Sequence, residues 1–579
     1  MRIFLRCSPI YICNEHLKLF IMKKIVLLFA LVLSGLAIAQ TPIYNWVNQS
    51  GAAGNDDLNR IAVDALENVY TAERSVGNLL ISKINAAGAT MWTKTISGNY
   101  ETVVRDIKLD SQGNILLVGI FSSQVDFDPG TGVFNLGVVN YSQSPLFSFL
   151  LKLNPAGEFI FAKKIGGSPV SITTDSTNAI CITGSFSNSA DFDPSPVVNN
   201  TQTSLDGYSM FVTKLNSSGE FVWNKVIGKT TISTSGFGTL QGSTILTDAN
   251  NGILISGSFT DDVDFDLGTG ITSYNSGGSA HTANPFILKL TQNGDFVWAK
   301  YFESNENSFP KGMAIDATGA IYTTGVLQGF MDFDSSAATL YLNHTYQLVP
   351  YVSKMDSNGN IIWAKKIFST DYNVELKSIK LDQAGTIFTL GTFKNTVNYT
   401  TLSGAGTATV SGAYSQNIFL TALNSNGILA SFNHFGGTTS ISPNDFVINN
   451  SNAYISGNFN QTVDFDMSNA VQNRTSNGLQ DNFVAKYSNL VLSSNNFENK
   501  TLKLSLFPNP CSNLLNITVS ALIESASIKI ISIAGQTVLE KNNQNGTDFI
   551  LDVTHLTKGV YLVQITDSTS STTSKFIKQ

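Results

Sequence analysis

Residues 107–121 read IKLDSQGNILLVGIF, residues 124–132 read QVDFDPGTG, and residues 149–165 read FLLKLNPAGEFIFAKKI. Apolar and polar residues alternate in these stretches, which is the pattern of half-buried β-strands. The segments SQGN and NPAG supply the Gly and Asn residues that short hairpin turns need. We therefore predict a unit of four strands in the order A (107–110), B (115–121), C (149–153) and D (158–165).

This four-strand unit recurs along the chain. Strand D occurs seven times, and its copies are marked by the aromatic residues Trp46, Trp92, Phe161, Trp223, Trp298, Trp363 and Phe432. Strand C also occurs seven times, starting near Leu79, Phe149, Phe211, Phe286, Tyr351, Ile418 and Phe483. The array begins with a lone strand D at 43–49 and ends with a lone strand C at 483–488.

The two unmatched ends complement each other, because pairing them closes a ring and removes an exposed edge strand. Four-stranded units in tandem are typical of propeller blades. The sequence therefore predicts an all-β chain in which residues 40–489 form a seven-bladed β-propeller closed by pairing of the N- and C-terminal strands. A row of separate sandwiches is the alternative, but one such unit has too few strands to bury both of its faces.

The connections differ in length. The A–B and C–D turns are short, whereas the B–C and D–A connections are long and variable and emerge on the same side of an up-and-down blade. Long loops on a rigid scaffold commonly carry binding sites. We expect ligands to bind on this long-connection face.

The array resembles bacterial β-propeller repeat proteins that carry a G-x-F…D-F-D-P-G signature, seen here at 119–121 and 126–130. The resemblance covers roughly residues 43–489. It implies the fold and leaves the function open, because propellers host many unrelated activities.

Five units carry Asp-Phe-Asp after strand B, a sixth has Asn398-Tyr399-Thr400, and one lacks the loop. Two interpretations are open. The paired carboxylates and loop carbonyl oxygens bind Ca²⁺, which prefers oxygen ligands, or they accept backbone N–H bonds in a turn while the Phe fills a gap between blades. The lack of a further acidic ligand favours the turn. The residues are Asp126, Asp128, Asp191, Asp193, Asp264, Asp266, Asp332, Asp334, Asp464 and Asp466.

A second set of aspartates ends strand A and is predicted to form turns: Asp110, Asp175, Asp248, Asp316 and Asp382. The Trp residues of strand D are predicted to pack on the outer strands.

Composition excludes several classes of function. Charged residues make up 13% of the chain, against ~25% in ordinary globular domains. A net charge of −7 without a Lys/Arg cluster argues against nucleic-acid binding. Apart from Cys7 and Cys13 near the N-terminus, the cysteines are Cys181 and Cys511, which fall in different predicted domains and form no disulfide framework.

Residues 22–40 read MKKIVLLFALVLSGLAIAQ, with a basic start, an apolar run and a small-x-small end. This is the pattern of a secretory signal peptide. We predict a signal peptide at 22–39 with cleavage after Ala39, and interpret residues 1–21 as a mis-called leader. No other apolar run is long enough to span a membrane.

An Asn/Ser-rich linker is predicted at 490–501. Seven short alternating stretches follow in residues 502–579: LKLSLFP, LLNITV, ASIKIISI, QTVLEK, DFILDV, GVYLVQI and SKFIK. So many short strands in a small domain predict an Ig-like β-sandwich.

Ordered motifs run through this C-terminal segment, namely Phe507-Pro508-Asn509-Pro510, Ile533-Ala534-Gly535-Gln536, Gly559-Val560-Tyr561 and Lys575-Phe576-Ile577-Lys578. With them the segment resembles the type A sorting domain of the type IX secretion system of Bacteroidetes. The resemblance implies recognition by the type IX secretion machinery at the outer membrane, followed by release or by attachment at the cell surface.

The leading hypothesis for function is therefore a secreted or cell-surface binding or adhesion module whose ligand, a glycan or a protein, is unknown. The alternative is a secreted polysaccharide lyase or hydrolase. That alternative needs a cluster of reactive side chains on the long-connection face, where His281 and His344 are the candidates. No catalytic motif is present in the sequence.

Overall fold

The computed structural model describes residues 41–51, 56–75, 77–98, 102–138, 146–228, 239–266, 268, 270–276, 282–336, 339–343, 348–368, 374–401, 404–410, 415–490, 504–532, 536–566 and 571–579. Within these ranges the chain forms strands and turns and no helix, which confirms the all-β prediction. Two compact units separate after Leu490. The predicted leader, signal peptide and most of the linker lie outside the described residues.

The described residues of the first unit form seven four-stranded antiparallel sheets, numbered 1 to 7 here. Sheets 1 to 6 each contain strands A, B, C and D in that spatial order. Sheet 1 comprises Asp57–Val63, Val69–Ser75, Asn78–Ile84 and Thr90–Ile96; sheet 2, Val103–Leu109, Ile115–Phe121, Phe147–Leu153 and Phe159–Ile165; sheet 3, Ser168–Thr174, Ile180–Asp191, Thr201–Leu215 and Phe221–Ile227. Sheet 4 comprises Leu240–Thr247, Ile253–Phe259, Asn284–Leu290 and Phe296–Tyr301; sheet 5, Phe309–Ile315, Ile321–Leu327, Val349–Met355 and Ile361–Lys366; sheet 6, Val374–Leu381, Ile387–Lys394, Gln416–Leu423 and Leu429–Phe435.

Sheet 7 joins the two ends of the array. Its first three strands are Ile441–Asn449, Asn452–Phe459 and Asp481–Ser488, and its strand D is Ile43–Ser50 from the N-terminal end. The pairing is antiparallel and runs from Ile43 opposite Ser488 to Ser50 opposite Asn482.

The A strands contact one another in a circular order. Each A strand contacts the A strand of the next sheet, and Ile441–Asn449 of sheet 7 contacts Asp57–Val63 of sheet 1. This is the arrangement of sheets in a β-propeller.

Most B–C connections form a second, smaller hairpin. Its paired strands are Val125–Asp126 with Asn135–Leu136, Asp262–Asp264 with Ser273–Asn275, Phe330–Asp332 with Tyr341–Asn343, Thr396–Thr401 with Gly404–Thr409, and Thr462–Asp464 with Asn473–Thr475. Glu303–Ser304 adds a third strand beside Phe330–Asp332. In sheet 3 the main strands B and C themselves extend into this hairpin.

A glycine in strand B explains the G-x-F signature. A β-bulge in strand A, between Val104 and Asp106 in sheet 2, lies beside Gly119. A Cβ on Gly119 would lie 2.1 Å from the carbonyl oxygen of Val103 and 2.8 Å from the ring of Phe149, so no larger residue fits. The same crowding occurs at Gly184, Gly257, Gly325, Gly391 and Gly457.

The aromatic residues of strand D join neighbouring sheets. A Cβ added to Gly219, in the C–D turn of sheet 3, would lie 2.8 Å from the Phe161 ring of sheet 2. Equivalent contacts pair Trp46 with Gly88, Trp92 with Gly157, Trp223 with Gly294, Trp298 with Gly359 and Trp363 with Gly427. Sequence reasoning predicted outer-strand packing here and missed that the packing crosses to the next sheet.

Phe432 lies in strand D of sheet 6, as predicted, but one position away from the register that the other aromatic residues hold. Ser431 pairs with Ala422 at the register where Phe161 pairs with Lys152 in sheet 2. Phe432 instead stacks on Tyr399 within its own unit, with ring centroids 4.4 Å apart. The following sheet, sheet 7, takes its strand D from the N-terminal end and so has no C–D turn for such an aromatic residue to cover.

The described residues of the C-terminal unit form five strands where the sequence predicted seven: Leu504–Phe507, Leu514–Ser532, Thr537–Asp552, Gly559–Thr566 and Ser571–Lys578. The stretches LLNITV and ASIKIISI are one long strand, and QTVLEK and DFILDV are another, because these two strands stay paired across several register shifts. Leu515, Ile517, Ile528, Val563 and Phe576 belong to the buried core of this unit.

Candidate functional site

The Asp-Phe-Asp loops share one hydrogen-bond pattern. In sheet 2, Asp126 Oδ1 accepts from the backbone N–H groups of Asp128 at 3.1 Å and Phe134 at 2.7 Å. Asp128 Oδ1 accepts from the N–H group of Gly130 at 2.8 Å. The first aspartate therefore joins the two ends of the loop, and the second closes a tight turn inside it.

The other four loops repeat these three bonds. The first aspartate accepts from the second and from a residue across the loop: Asp191 from Asp193 and Asn200, Asp264 from Asp266 and Thr272, Asp332 from Asp334 and Leu340, and Asp464 from Asp466 and Gln472. The second aspartate accepts from the residue two positions on: Ser195, Gly268, Ser336 and Ser468.

The Phe between the two aspartates is buried. Phe127 has 0% of its surface exposed. Its ring centroid lies 5.2 Å from that of Phe121 in strand B and 4.8 Å from that of Phe149 in strand C. Sheets 3, 4 and 7 repeat this aromatic trio. The trio of sheet 2 packs with residues of sheet 1 in one hydrophobic cluster.

Calcium binding by these loops stays a prediction. The Oδ1 atom of each aspartate is already a hydrogen-bond acceptor for backbone N–H groups in the turn. Among the described residues, no group of three or more His, Cys, Asp or Glu side chains is arranged to hold a metal ion.

The aspartates that end strand A lie in tight turns and also carry ion pairs. Asp110 Oδ1 accepts from the N–H groups of Gln112 and Asn114, each at 2.9 Å. Its Oδ2 lies 3.0 Å from Nζ of Lys152, and both side chains are almost fully buried. Burial acts to raise the pKa of Asp110, but hydrogen bonds from Asn114 and Lys152 outweigh burial and lower it.

Equivalent ion pairs join Lys214 to Asp175 at 2.8 Å and Lys289 to Asp248 at 2.9 Å. Sequence reasoning missed these pairs. The signal was present, because each of these units has both the Lys of strand C and the Asp of the A–B turn.

The candidates for an enzyme, His281 and His344, lie outside the described residues. Cys181 is buried and free, as predicted for a small apolar residue, and Cys511 is buried in the C-terminal unit.

The Phe-Pro-Asn-Pro motif is hydrogen-bonded to the last strand. Asn509 donates from Nδ2 to the carbonyl oxygen of Lys575 at 3.0 Å and accepts at Oδ1 from the N–H group of Ile577 at 2.9 Å. Cys511, directly after Pro510, donates its N–H to the carbonyl oxygen of Ile577 at 2.9 Å. The first and last sorting motifs therefore form one structural feature.

The other motif residues divide into buried and exposed positions. Tyr561 stacks on Phe576 with centroids 5.6 Å apart and donates its hydroxyl to the carbonyl oxygen of Thr557. Phe507 is 54% exposed, and Gly559 is also exposed. Gly535 lies outside the described residues.

Comparison with known proteins identifies the C-terminal unit. Residues 505–579 match the family model described as the secretion system C-terminal sorting domain. This match confirms the resemblance seen in the sequence motifs. It indicates that the protein is secreted or displayed at the outer-membrane surface.

The repeat region has more distant relatives. An uncharacterised WD repeat-containing protein of Acanthamoeba polyphaga mimivirus is 26% identical over 37% of this chain, and the match spans 17% of that relative's length. The Neurospora crassa Pan2 WD40 domain matches 78% of this chain and 96% of its own, at 10% identity and a TM-score of 0.40. A protein of unknown function from Dyadobacter fermentans matches 68% of this chain and 96% of its own, at 10% identity and a TM-score of 0.29.

The circular arrangement of the sheets and the match of residues 505–579 together make the chain a β-propeller repeat protein with a type IX sorting domain. In the part of the chain that the structure describes, no helix has the length and hydropathy to cross a membrane.

Proposed function

We propose that this protein is a non-enzymatic binding or adhesion module, exported by the type IX secretion machinery, that binds a glycan or a protein outside the cell. The observation that carries the proposal is the match of residues 505–579 to a secretion sorting domain. The protein is made as a precursor with a signal peptide at 22–39, cleaved after Ala39. Residues 490–501 are a linker, and residues 502–579 are an Ig-like sandwich.

Residues 40–489 form a closed seven-bladed propeller in this proposal. Two features support closure. The N-terminal strand Ile43–Ser50 completes sheet 7, and the A strand of sheet 7 contacts the A strand of sheet 1. A ring without a free edge suits a protein that works outside the cell, because exposed sheet edges pair with other chains.

The ligand binds on the long-connection face. This face carries the small hairpins that follow strand B and the connections that lead into strand A. Hydrogen bonds and buried Phe residues fix the Asp-Phe-Asp loops, so the loops present a rigid surface. Rigid positioning of loops reduces the entropy lost on binding.

Export is tested in a bacterium that has a type IX system. The full precursor is compared with a precursor that ends at residue 501, and each is located by fractionation. We expect the full protein at the surface or in the medium and the truncated protein in the periplasm. Export of the truncated protein would contradict the proposal.

A matched pair of variants refines this test. Asn509→Ala breaks both side-chain bonds to the last strand, whereas Asn513→Ala changes an exposed residue whose carbonyl oxygen alone accepts a bond, from Val553. We expect reduced export for Asn509→Ala and normal export for Asn513→Ala. Binding is then sought with the mature chain on glycan and protein arrays.

A further inference from the structure

The small hairpin of sheet 5 differs from the other small hairpins of the long-connection face. Its strands are Phe330–Asp332 and Tyr341–Asn343, and Glu303–Ser304, from the connection between sheets 4 and 5, adds a third strand beside Phe330–Asp332. Among the described residues, no other separate hairpin of this kind has three strands. The extra strand widens the surface that this hairpin presents.

The register of the three strands separates an inward from an outward face. Residues directly opposite each other on neighbouring strands have their side chains on the same face. Ser304, Met331 and Leu342 lie opposite one another, and they face inward because Ser304 and Met331 are buried and Leu342 packs in the cluster of Met331. Side chains alternate along a strand, so the neighbouring residues face outward. These are Glu303, Asn305, Phe330, Asp332, Tyr341 and Asn343.

Two aromatic rings lie on the outward face. Phe330 is 42% exposed and Tyr341 is 55% exposed. Their ring centroids are 5.9 Å apart, and the ring planes meet at 86°. The backbone beneath the rings is fixed, because Met331 is fully buried and Asp332 Oδ1 accepts from the N–H group of Leu340 at 2.9 Å. The rings are therefore presented to solvent by a rigid support.

Polar side chains with unused hydrogen-bonding capacity flank the rings. Asn305 Oδ1 accepts from the N–H group of Phe330 at 2.8 Å, and its Nδ2 group donates to no other described residue. The side chains of Glu303, Tyr341 and Asn343 are exposed and form no hydrogen bond within the described ranges. The outward face therefore offers both donors and acceptors to a ligand.

The equivalent side chains of four other hairpins bond to each other instead. In place of Phe330 and Asn343, these hairpins have the hydrogen-bonded pairs Ser189 with Thr203, Asp262 with Asn275, Thr396 with Thr409, and Thr462 with Thr475. In place of Tyr341, the other hairpins have the small polar residues Asn135, Thr201, Ser273, Thr407 and Asn473. Since those hairpins form without aromatic residues at these positions, folding does not require Phe330 and Tyr341.

We propose that this surface binds a neutral oligosaccharide built of hexopyranose units. We call the surface the aromatic platform, and it consists of Glu303, Asn305, Phe330, Tyr341 and Asn343. The inference rests on the proposed function and specifies the class of its ligand. It assigns binding to one sheet of the long-connection face.

The chemistry of the platform matches a sugar. A Tyr side chain is a rigid apolar surface with a polar tip, and it loses little conformational entropy on binding. The C–H-bearing face of a pyranose ring covers such a surface, while the sugar hydroxyls bond to the amide groups of Asn305 and Asn343. The only charged side chain of the platform is the carboxylate of Glu303, which repels an acidic sugar.

The size of the platform also favours a sugar over a protein. A stable protein interface buries about 800 Å² on each partner around an apolar centre. Phe330 and Tyr341 are two rings surrounded by polar atoms, which is the area that one or two sugar units cover. We therefore make a protein partner an outcome of the test.

The test is titration calorimetry on the mature chain, residues 40–579. The ligands are cellohexaose, laminarihexaose and mannohexaose, which are neutral and differ in linkage or in the configuration of one hydroxyl. We expect at least one of them to bind. We also expect its affinity to be unchanged when salt is added, because screening acts on charge–charge interactions and these sugars carry no charge.

The variant is the double substitution Phe330→Thr with Tyr341→Asn. It gives sheet 5 the residues that sheet 7 has at these positions, Thr462 and Asn473, so the hairpin is expected to fold. We expect about tenfold or more weaker binding and an unchanged melting temperature. Tyr341→Ser alone, which removes the more exposed ring, is expected to weaken binding in the same direction.

The control is Asn473→Ser, at the position in sheet 7 that Tyr341 holds in sheet 5. Serine is the residue that sheet 4 has there, Ser273. We expect the control to bind like the unsubstituted chain.

Several results would overturn the inference. Failure of all three hexaoses to bind would exclude the neutral glycan, and unchanged affinity of the double variant would place the site elsewhere. Equal weakening by the control would do the same. If an array identifies a protein ligand that the double variant no longer binds, the platform serves a protein, so the inference fails and the proposed function stands. Failure of export would instead contradict the proposed function.

Discussion

The junction between sheets 1 and 2 differs in chemistry from the junction between sheets 7 and 1. At the first, the aromatic trio of Phe121, Phe127 and Phe149 packs with sheet 1 in an apolar cluster. At the second, Glu73 of sheet 1 stands at the strand-B position that Gly119 holds in sheet 2. It accepts bonds from Ser50 at 2.6 Å and Asn482 at 2.8 Å.

More polar contacts cross the junction between sheets 7 and 1. Lys486 of sheet 7 forms an ion pair with Glu67 of sheet 1 at 2.7 Å, and Arg60 of sheet 1 donates to the carbonyl oxygen of Asn444 at 2.8 Å. Sheet 1, which has no Asp-Phe-Asp loop, thus makes polar contacts with sheet 7. The junction between sheets 7 and 1 therefore combines an apolar cluster, which includes Ile61 and Tyr454, with the directional bonds of Glu73, Glu67 and Arg60.

Truncation of the loop aromatic tests the apolar junction and has the largest expected effect. Phe127→Ala should cost about 3–5 kcal/mol of unfolding free energy, because it leaves a cavity among buried rings. The control is Tyr399→Ala, at the equivalent loop position of sheet 6, where the ring is only partly buried. We expect its loss to be about 2 kcal/mol or less. Urea unfolding of the mature chain measures both, and equal losses would contradict the role of the trio.

The contact between strand D and the next C–D turn can be isolated with two glycines. Gly219 has φ +75° and faces the Phe161 ring, whereas Gly385 has φ +79° and no heavy atom within 4 Å of an added Cβ. Alanine at either site destabilises the fold, because a residue with a Cβ adopts a positive φ only at a cost in free energy. We expect Gly219→Ala to lose about 1–2 kcal/mol more than Gly385→Ala, from overpacking against the ring. Equal unfolding midpoints of the two variants would show that the contact with the Phe161 ring does not limit the space at Gly219.

The sequence predicts the strands and hairpin turns well, because the alternation of apolar and polar residues and the turn residues act over only a few positions. Strand order and the seven copies of strands C and D follow from that periodicity. The contact of Phe161 with Gly219 could not be predicted, since it joins residues of different sheets. The bond from Arg60 to the carbonyl oxygen of Asn444 was missed for the same reason, because the two residues are 384 positions apart in the sequence.

The C-terminal unit shows a different limit. Its motifs identify the family, but the breaks that suggested seven strands are register shifts within two long strands. A short polar stretch in the sequence can be a bulge, across which two strands stay paired, or a turn, at which the strand ends. The polarity of the stretch alone does not distinguish the two.

The junction between sheets 7 and 1 predicts a pH dependence of stability. Burial raises the pKa of Glu73, the bonds from Ser50 and Asn482 oppose that rise, and Asp56 adds to it. A folded-state pKa above the unfolded value means that ionised Glu73 destabilises the fold, so stability is lost as pH rises from the unfolded pKa through the folded one.

Glu73→Gln keeps both acceptor bonds without the charge. It should raise stability on the order of 1 kcal/mol at pH 8 and leave stability at pH 4 nearly unchanged. Thermal unfolding at the two pH values checks this. A variant that is destabilised at pH 8 would show that the carboxylate charge stabilises the junction.

Calcium tests the Asp-Phe-Asp loops, where we expect the smallest effect. In sheet 2, three backbone N–H groups already bind Asp126 and Asp128, and Ca²⁺ requires six to eight oxygen ligands. We therefore expect the same melting temperature in EDTA and in excess Ca²⁺. A bound ion would stabilise the folded state by about 2.7 kcal/mol at a hundred times its Kd. A rise in melting temperature that Asp126→Asn with Asp128→Asn diminishes would make the loops ion sites. The five sheets that have the loops would then be stabilised by metal coordination in addition to hydrogen bonds. Sheets 1 and 6, which have no Asp-Phe-Asp loop, would differ from them in metal binding as well as in packing.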